Sequence, residues 1–597
     1  MGQKAVRSQN ISNSIRYSEF EYLAELLIWP GAAFGTTFPF PLGNNRDDTK
    51  RDWIKRLSRS LYPVCFCNRF IISFMNGKMI FLTANNEPSE FSTEFWTTTA
   101  GDLSQKREQI ATPKFGDADQ AAAKIVIDPS EKHQDWLGQG AAITDSAASL
   151  IWGVLNKDQR DSLLHELFDP TQGGFSTVRV PLGSCDFSSQ DYYTYDDVPF
   201  GEHDFKLEKF SVGEGKPGAP DATKDLKYIV PVLQEILKIN PAVKIIASPW
   251  SAPAWMKNTG HLTFGGHLRF SEFTGNGYGK AHTFDAVYAR YFVRYIEAYQ
   301  KLGIPIYGVT IQNEPSNAAH WPAMIWTPSQ IAEFGYEYLR PALNSTFPAT
   351  KIYFLDDSFH ALDQPITNNV TPVQASAFDG LAVHTYTGPY PYLFNANRAF
   401  PNWQVIMTER RCMMEETPED AAHIMFGIIA NWLVRNGLNM INLWNIALDE
   451  RGLPNAADST GRRGVVTIDH TTGKVQRNLE YYMLRNFGQD VPVGSIVIGS
   501  SNYTPDGFTG GLGSVAFLAP DGSISAHLYN PTGQSLKAAV IINGYAVNWQ
   551  NVTVPAWGTV TLHKANHAVN ESKVPADDHF KLNPTPANTD DVAPGRK

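Results

Sequence analysis

Cysteine is scarce in this chain of 597 residues, which contains only Cys65, Cys67, Cys185 and Cys412. No spacing among them matches a zinc-binding pair, and Cys65 and Cys67 are too close for a CxxC redox pair. The sequence also lacks a run of 18 apolar residues, so it predicts no membrane-spanning helix. Its formal net charge of −10 disfavours binding to nucleic acid, which requires basic surfaces. These deficits exclude a disulfide scaffold, a zinc finger and a typical nucleic-acid-binding protein.

The first part of the chain lacks recognisable signals. Residues 1–115 carry no motif, and we treat them as an N-terminal extension of unknown role. The start of the chain shows no ordered basic, apolar and small-residue regions of a signal peptide, so the compartment stays open. HExxH and comparable metal-binding patterns are absent as well. We therefore expect neither a metal nor another cofactor.

Aromatic residues, in contrast, are abundant, with 14 Trp, 24 Tyr and 34 Phe. Flat aromatic faces suit the apolar faces of sugar rings, although aromatic side chains also form good protein cores. The chain is long enough to bury a large core, and its composition is that of a globular protein. A sugar is therefore one candidate ligand, and the sequence motifs are needed to decide whether it is the right one.

From residue 123 onward, short apolar segments alternate with helical patterns. Eight segments are predicted as buried strands: 141–144, 177–182, 243–250, 306–311, 351–356, 381–384, 404–409 and 440–444. Helical spacing of aromatic residues predicts a helix over 283–302, while Thr327 and Thr417 are predicted N-caps followed by proline. Eight strand–helix repeats indicate an α/β fold, a (β/α)8 TIM barrel over 138–486, with its active site at the carboxyl ends of the strands.

The regions around the barrel are predicted to be of a different kind. Short strands separated by turn residues predict an all-β sandwich over 487–563, completed by a strand within 116–137. Residues 564–597 are polar and proline-rich, which predicts a disordered tail. We expect removal of residues 1–110 to leave a folded enzyme, and removal of 1–130 to prevent folding.

Two glutamates end predicted barrel strands. Glu314 closes the segment IYGVTIQNEP at 306–315, and Glu409 closes VIMTE at 405–409. Two carboxylates at a barrel mouth are the equipment for glycoside hydrolysis, one as proton donor and the other as nucleophile or base. A plain ion pair with Arg410 or Arg411 is the structural alternative for Glu409. From the strand ends alone, we expect a catalytic carboxylate pair.

Seven motifs, in order and at predicted strand ends, resemble glycoside hydrolase family 30, the glucosylceramidase-like retaining β-glycosidases. They are RVPLGSCDFS at 179–188, ASPWSAPAWM at 247–256, QNEPS at 312–316, FLDD at 354–357, VHTY at 383–386, TE at 408–409 and LWNIAL at 443–448. The resemblance covers about three quarters of the chain, residues 124–563. It implies a (β/α)8 barrel with a β-sandwich, and a secreted or lysosome-like location.

The resemblance also implies roles for individual residues. Glu314 would be the acid/base, Glu409 the nucleophile and Asn313 a ligand of the sugar 2-hydroxyl. Arg179, His384 and Tyr386 would complete the catalytic floor, with Arg179 keeping Glu409 ionised and Glu314 holding its proton to higher pH. Asp186, Trp250 and Trp444 would hold the sugar by hydrogen bonds and stacking. Strand alternation predicts that Arg411 returns to the mouth, where it contacts substrate or Glu409.

Four positions depart from the family pattern. Arg410 and Arg411 stand where a small residue and a cysteine are usual, Thr385 replaces a tryptophan, and Gln139 replaces an aromatic residue. Because the two glutamates are intact, the reaction class is unaffected, and the departures concern the leaving-group side. The main expectation is a β-glucosidase acting on glucosylceramide. The alternatives are an endo-β-1,6-glucanase, a non-catalytic sugar-binding protein, and a metal hydrolase built on Asp145, Asp356, Asp357 and His384.

The loops at 201–223, 259–282 and 387–402 would decide between a closed sugar pocket and an open cleft. The expected partner is a β-glucoside, either a glycolipid or a glucan, and any membrane contact would come through a lipid substrate. The oligomeric state is not predicted.

Overall fold

A computed structural model describes residues 71–75, 78–82, 93–99, 123–269, 283–362, 366–457, 461–488, 490–501, 511–544 and 549–564. The chain divides into two compact units, residues 1–87 and 88–597. In the first unit, Ile71–Met75 and Lys78–Leu82 form an antiparallel hairpin. The predicted tail lies outside the described residues, apart from Lys564.

Eight parallel strands of the second unit close into a barrel, which confirms the predicted α/β fold class. In barrel order, the strands are Gly138–Ala142, Thr177–Pro181, Lys244–Ser248, Gly308–Thr310, Lys351–Ser358, Gly380–His384, Gln404–Glu409 and Leu438–Asn445. Each strand pairs with the barrel strands that precede and follow it in the chain, and the eighth strand pairs with the first. All eight carboxyl ends therefore lie at one face of the barrel.

Helices surround the barrel, and the apolar sides of the helices pack against its strands. The main helices are Asp145–Ser149, Lys157–Phe168, Ile229–Ile239, Phe284–Lys301, Pro328–Phe334, Arg340–Thr346, Pro372–Ala375, Leu393–Ala399, Pro418–Ala422 and Leu479–Gly488. Gly335–Leu339 and His423–Leu433 continue two of these in π-helical geometry. Thr327 and Thr417 cap their helices through side-chain bonds from the third helical N–H, as predicted. In the described residues, no helix is both long and apolar enough to cross a membrane.

The barrel interior is layered. An apolar layer, to which Ile246, Ala382 and Ile406 contribute, fills the lower part. Two residues further along the same three strands come Ser248, His384 and Thr408, and because side chains alternate along a strand, these polar groups face the same interior. The polar layer thus rests on an apolar layer and lies at the end of the barrel where catalytic groups are usually found.

Eight further strands of the second unit form one sheet, in the order Trp549–Val554, Leu536–Ile542, Ala123–Asp135, Ile496–Ser500, Gly513–Leu518, Ile524–Tyr529, Gly558–Lys564 and Thr93–Thr99. Strands that are far apart in this order contribute side chains to one apolar core. Val552 and Val554 come from Trp549–Val554, and Val560 and Leu562 come from Gly558–Lys564. The all-β region is therefore a single sheet folded around its core. It includes Thr93–Thr99, paired with Gly558–Lys564, a strand that we had not predicted within residues 1–115.

Candidate active site

The two predicted glutamates lie close together at the barrel mouth. Glu409 ends the seventh strand, and Glu314 follows the fourth strand by four residues. An oxygen of Glu314 and an oxygen of Glu409 lie within 4.8 Å of each other. Such a close approach is that of retaining glycosidases, whose carboxyl groups are about 5–5.5 Å apart, compared with about 6.5–9.5 Å in inverting enzymes.

The backbone around Glu314 is strained. Its φ is 43°, in the left-handed region that favours glycine, and Asp356 on the neighbouring strand has a φ of 69°. The Glu314 N–H donates to the Asp356 carbonyl over 2.9 Å, so the two strained residues hold each other. Such strain persists only where surrounding contacts fix it, and it is common at active sites.

Irregular pairing brings three further side chains into the site. Each of three barrel strands contains one residue that has no partner in the regular pairing with its neighbouring strand. These residues are Asp356, Thr408 and Trp444. An extra residue of this kind re-aims the side chains that follow it. In the seventh strand, the bulge at Thr408 lets that hydroxyl and the adjacent Glu409 face the same site, which regular alternation does not permit.

Arg179 ties the floor of the site together. It has no exposure, and it donates to Glu409 Oε2 over 2.6 Å, to Asp356 Oδ2 over 2.8 Å and to Asn313 Oδ1 over 2.7 Å. Thr310 also donates to Asp356, over 2.7 Å. Because Arg179 is wholly buried, it acts through Glu409 and Asn313 and does not touch substrate.

His384 links the second carboxylate to the same network. Its Nδ1 lies 3.2 Å from Glu314 Oε1, and its Nε2 lies 3.1 Å from Asp356 Oδ1. A ring with a carboxylate at each nitrogen is held as the imidazolium, which has two donors. Although burial lowers its pKa, the surrounding carboxylates raise the pKa of His384 to about 10.

The pKa values of the two glutamates differ from our sequence-based expectation. Burial raises the pKa of Glu409 above its ordinary value, although His384 and Arg179 oppose this. Burial also favours neutral Glu314, but the hydrogen bond and charge of His384 and the bond from Asn317 outweigh it, so the pKa of Glu314 lies below its ordinary value. The expected order was wrong because the cationic His384 contacts Glu314 directly, which the sequence could not reveal.

The glutamates open onto a cavity of about 420 Å³. Its described lining is aromatic or polar throughout: Asp186, Phe187, Glu314, Ser316, Asn317, Trp321, Asp357, Ser358, His360, Tyr386, Thr387, Glu409, Arg411, Trp444 and Arg462. No aliphatic side chain occurs among these residues. The cavity is therefore suited to a ligand with many hydroxyl groups.

The residues predicted to bind substrate occupy different depths. Asp186, Trp444 and Arg411 line the cavity. Trp250 is 2% exposed and stacks on Trp444 at 5.3 Å between ring centroids, so it supports Trp444 from behind. Arg411 lies with its Cζ 4.9 Å from the ring centroid of Tyr386, whose hydroxyl donates to Glu409 Oε1 over 2.7 Å.

Sequence reasoning did not select several residues of the site. Asn317 donates to Glu314 Oε2 over 2.9 Å, and Ser316 donates to Asp357 Oδ2 over 2.6 Å. Asp356, which we had considered only as a metal ligand, is the central acceptor of the network. The paired aspartates at the end of a strand, in FLDD, were the available signal for it.

A metal site is a poor description of this arrangement. Ligand atoms of Glu314, His384 and Glu409 lie within 4.8 Å of one another. However, both nitrogens of His384 face carboxylates, and a doubly protonated ring has no lone pair for a metal. Asp145, another member of the considered set, accepts from Ser189 and Gln190 instead. The residues fit a charge-paired carboxylate site better than a cation site.

A closed (β/α)8 barrel that carries two carboxylates at retaining distance has the architecture of a retaining O-glycosyl hydrolase. The family model of the glycosyl hydrolase family 30 TIM-barrel domain matches residues 137–488. The chain belongs to this family, whose members work by double displacement, and the resemblance seen in the motifs is confirmed.

Individual relatives within the family carry two activities in their names. The chain is 31% identical over 445 residues to an endo-1,6-beta-D-glucanase of Trichoderma harzianum, covering 72% of this chain and 85% of that protein. It is 27% identical over 437 residues to the lysosomal acid glucosylceramidase of Mus musculus, covering 70% of this chain and 79% of that protein. A solved endo-β1,6-glucanase matches with a TM-score of 0.67 and 26% identity, over 80% of this chain and 100% of the solved one.

Proposed function

We propose that this protein is an endo-acting β-1,6-glucanase that hydrolyses its substrate with retention of anomeric configuration. The observation that carries this proposal is the cavity lining, in which aromatic and polar side chains occur without an aliphatic one among the described residues. A ceramide would bring long alkyl chains to the leaving-group side, where burial of apolar surface is the main source of affinity. A leaving glucosyl unit brings hydroxyl groups, for which polar side chains are partners.

The relatives support the same choice. The endo-1,6-glucanase of Trichoderma harzianum has a higher identity, 31%, than the glucosylceramidase of Mus musculus, 27%. The β-1,6-glucanase, an alternative at the level of sequence, therefore becomes the favoured activity. Glucosylceramide hydrolysis, our main expectation from the sequence, becomes the second candidate.

In the proposed first step, Glu409 attacks the anomeric carbon and Glu314 protonates the departing oxygen. Arg179 and Tyr386 hold the Glu409 carboxylate by hydrogen bonds to its two oxygens, which fixes the direction of attack. Asn313, oriented by Arg179, meets the sugar 2-hydroxyl, where contacts strengthen in the transition state.

The proton for the leaving group comes from the pair of His384 and Glu314. Transfer from His384 Nδ1 to Glu314 Oε1, 3.2 Å away, protonates the acid without changing the net charge of the pair. Glu314 then gives this proton to the leaving oxygen. In the second step, Glu314 removes a proton from water, which attacks the glycosyl–Glu409 ester and releases the sugar.

The substrate is tested with a panel of a long β-1,6-glucan, glucosylceramide in detergent, and an aryl β-glucoside. We expect rapid hydrolysis of the β-1,6-glucan, with oligosaccharides of mixed length as the first products. Release of glucose alone from chain ends would indicate exo action. Turnover of glucosylceramide with no cleavage of the glucan would overturn the proposed substrate in favour of the second candidate.

The catalytic roles are tested by substitution, with Glu415→Ala as a control at a glutamate that follows the same strand but does not line the cavity. Glu409→Ala should abolish turnover. Glu314→Ala should slow substrates with poor leaving groups on the order of 10²- to 10⁴-fold, while an activated fluoroglycoside still reacts and leaves a sugar bound to Glu409. Mass spectrometry that finds the sugar on another residue, or an inverted product from the unaltered enzyme, would contradict these assignments.

A further inference from the structure

An exposed phenylalanine stands on a loop beside the cavity. Phe264 is 70% exposed, and it lies in the connection that follows the third barrel strand, at the mouth of the barrel. Single exposed apolar side chains are common on protein surfaces, and Phe200 is 88% exposed as well, so exposure alone does not mark a binding site. Phe264 is a candidate because its backbone is strained and its loop is bonded to the wall of the cavity.

The backbone that presents Phe264 is strained. Its φ is 61°, and the next two residues, Gly265 and Gly266, also have positive φ values of 70° and 77°. A bulky residue in the left-handed region is rare, since its Cβ crowds the backbone. Strain of this kind persists where the surrounding structure enforces it, and it is most frequent at binding and active sites.

Rigid contacts join this loop to the wall of the catalytic cavity. The Phe264 N–H donates to the Ala319 carbonyl over 2.7 Å, and Thr263 pairs with Pro322, so the loop is bonded on both sides of Trp321. Trp321 lines the cavity near Glu314. The loop that carries Phe264 is thus bonded to the segment that carries Trp321, which lies on the side of the proposed acid.

A buried lysine fixes the same two segments to each other. Lys257 has no exposure, and its Nζ donates to the Leu262 carbonyl over 2.9 Å and to the Ala323 carbonyl over 2.7 Å. Two further backbone bonds run between the segments, from Ala323 to Leu262 and from Ile325 to Gly266. The ring of Phe264 is therefore presented on a fixed platform.

We propose that Phe264 is a remote stacking platform that binds a glucosyl unit of a long glucan chain beyond the bond to be cleaved. The inference rests on the proposed function. Glu314 protonates the leaving oxygen, so the leaving part of the chain lies on its side of the cavity, next to Trp321 and then Phe264. An aromatic face there offers the apolar face of a sugar ring a partner at little entropic cost.

The test compares Phe264→Gly with the unaltered enzyme on two substrates, the longest β-glucan that the enzyme cleaves and an aryl β-glucoside. The variant should lose roughly threefold to tenfold in kcat/KM on the long glucan, mainly through KM. The aryl glucoside reaches only the cavity, so its kcat/KM should not change. Glycine adopts a positive φ without strain, so the thermal midpoint should not fall.

Two further variants serve as controls. Phe264→Trp should restore kcat/KM on the glucan, because it restores an aromatic face. Tyr336→Ala removes another partly exposed aromatic side chain, 37% exposed, from the π-helical segment Gly335–Leu339, which does not line the cavity, and should leave both substrates unaffected. Binding of the Glu409→Gln enzyme to immobilised glucan should weaken when Phe264→Gly is added.

Three results would overturn the platform: an equal loss on both substrates, no loss on the long glucan, or an equal loss in Tyr336→Ala. Insertion of the ring into a lipid surface is the rival, and binding to phosphatidylcholine vesicles tests it. Loss of vesicle binding with unchanged glucan turnover would refute our proposal in favour of that rival. If the enzyme does not cleave β-1,6-glucan, the unaltered enzyme will show this in the substrate panel. Failure of the platform is distinguishable, because it appears only in the comparison of the unaltered enzyme with Phe264→Gly.

Discussion

Asp186, in the cavity wall, holds its proton to an unusually high pH. Burial, together with the charges of Glu409 and Glu314, raises its pKa to about 8. At neutral pH its carboxyl group is therefore uncharged and can donate a hydrogen bond to a sugar hydroxyl. Above that pH it becomes a third negative charge beside the two glutamates.

From this pKa we predict that kcat/KM falls as pH rises through about 8, because the donor is lost and the added charge repels the carboxylates of the site. Asp186→Asn keeps a donor and removes the titration, so it should retain most of its activity at pH 6 and move the alkaline limb to higher pH. The measurement is kcat/KM from pH 5 to 10 with an aryl β-glucoside. An alkaline limb that is the same in both enzymes would assign it to another group, such as His384.

Arg411 is the cation nearest to the ring of Tyr386, with 4.9 Å between Cζ and the ring centroid. Because Tyr386 donates to Glu409 and Arg411 also lines the cavity, removal of the guanidinium should disturb both substrate contact and the nucleophile. We predict that Arg411→Ala lowers kcat/KM by roughly tenfold or more, on the order of 1.4 kcal/mol of transition-state stabilisation.

The control for Arg411 is Arg451→Ala, which removes a half-exposed arginine paired with Asp449 outside the cavity. It should leave kcat/KM unchanged. If the Arg411 variant keeps its thermal midpoint and its full kcat/KM, the arginine has no part in binding or catalysis.

At the scale of elements, the sequence predicted the strands better than the orientation of their last residues. Hydrophobic runs and turn signals predicted eight strands, and Glu314 and Glu409 followed from their positions at the strand ends. The bulges at Asp356, Thr408 and Trp444 did not follow, because a register shift depends on the pairing of neighbouring strands and not on local propensity. The contact of His384 with Glu314 depends on the same tertiary geometry, which is why the order of the pKa values could not be predicted.

The helix Phe284–Lys301 is attached to the barrel connections through buried tyrosines. Tyr299 from this helix, and Tyr193 and Tyr195 from the connection after the second strand, all donate to the carboxylate of Asp225. Asp225 has no exposure. Burial raises its pKa to about 6, although the three hydroxyl donors oppose this.

This raised pKa predicts a stability effect of unusual sign. The folded protein binds a proton at Asp225 more tightly than the unfolded chain does, whose aspartate pKa is near 3.9, so stability falls as pH rises from about 4 to about 6. The contribution is on the order of 3 kcal/mol. Asp225→Asn lacks this titration, so the thermal midpoint of the unaltered protein minus that of the variant should be larger at pH 4 than at pH 7. A constant difference would show that Asp225 is charged throughout.

At the scale of the whole molecule, the all-β sheet joins segments from both ends of the second unit. Ala123–Asp135 lies between Leu536–Ile542 and Ile496–Ser500, and Thr93–Thr99 closes the edge beside Gly558–Lys564. The alternating pattern of 124–128 indicated the inner strand. The outer strand lies in a part of the chain without a motif, and its pairing with residues more than 450 positions away is a long-range contact that local patterns do not reveal.

The edge strand changes our expectation for truncation of the N-terminal region. Removal of residues 1–87 takes away one compact unit and leaves the other intact, so this variant should keep its thermal midpoint and its kcat/KM. Removal of residues 1–110 also takes away Thr93–Thr99, which leaves the N–H and C=O groups of Gly558–Lys564 without their partners. An unpaired edge is destabilising and promotes association with other chains. We therefore predict a lower thermal midpoint and aggregation for the longer deletion, measured by thermal unfolding and size-exclusion chromatography. Equal stability of the two truncated proteins would show that the sheet does not need this strand.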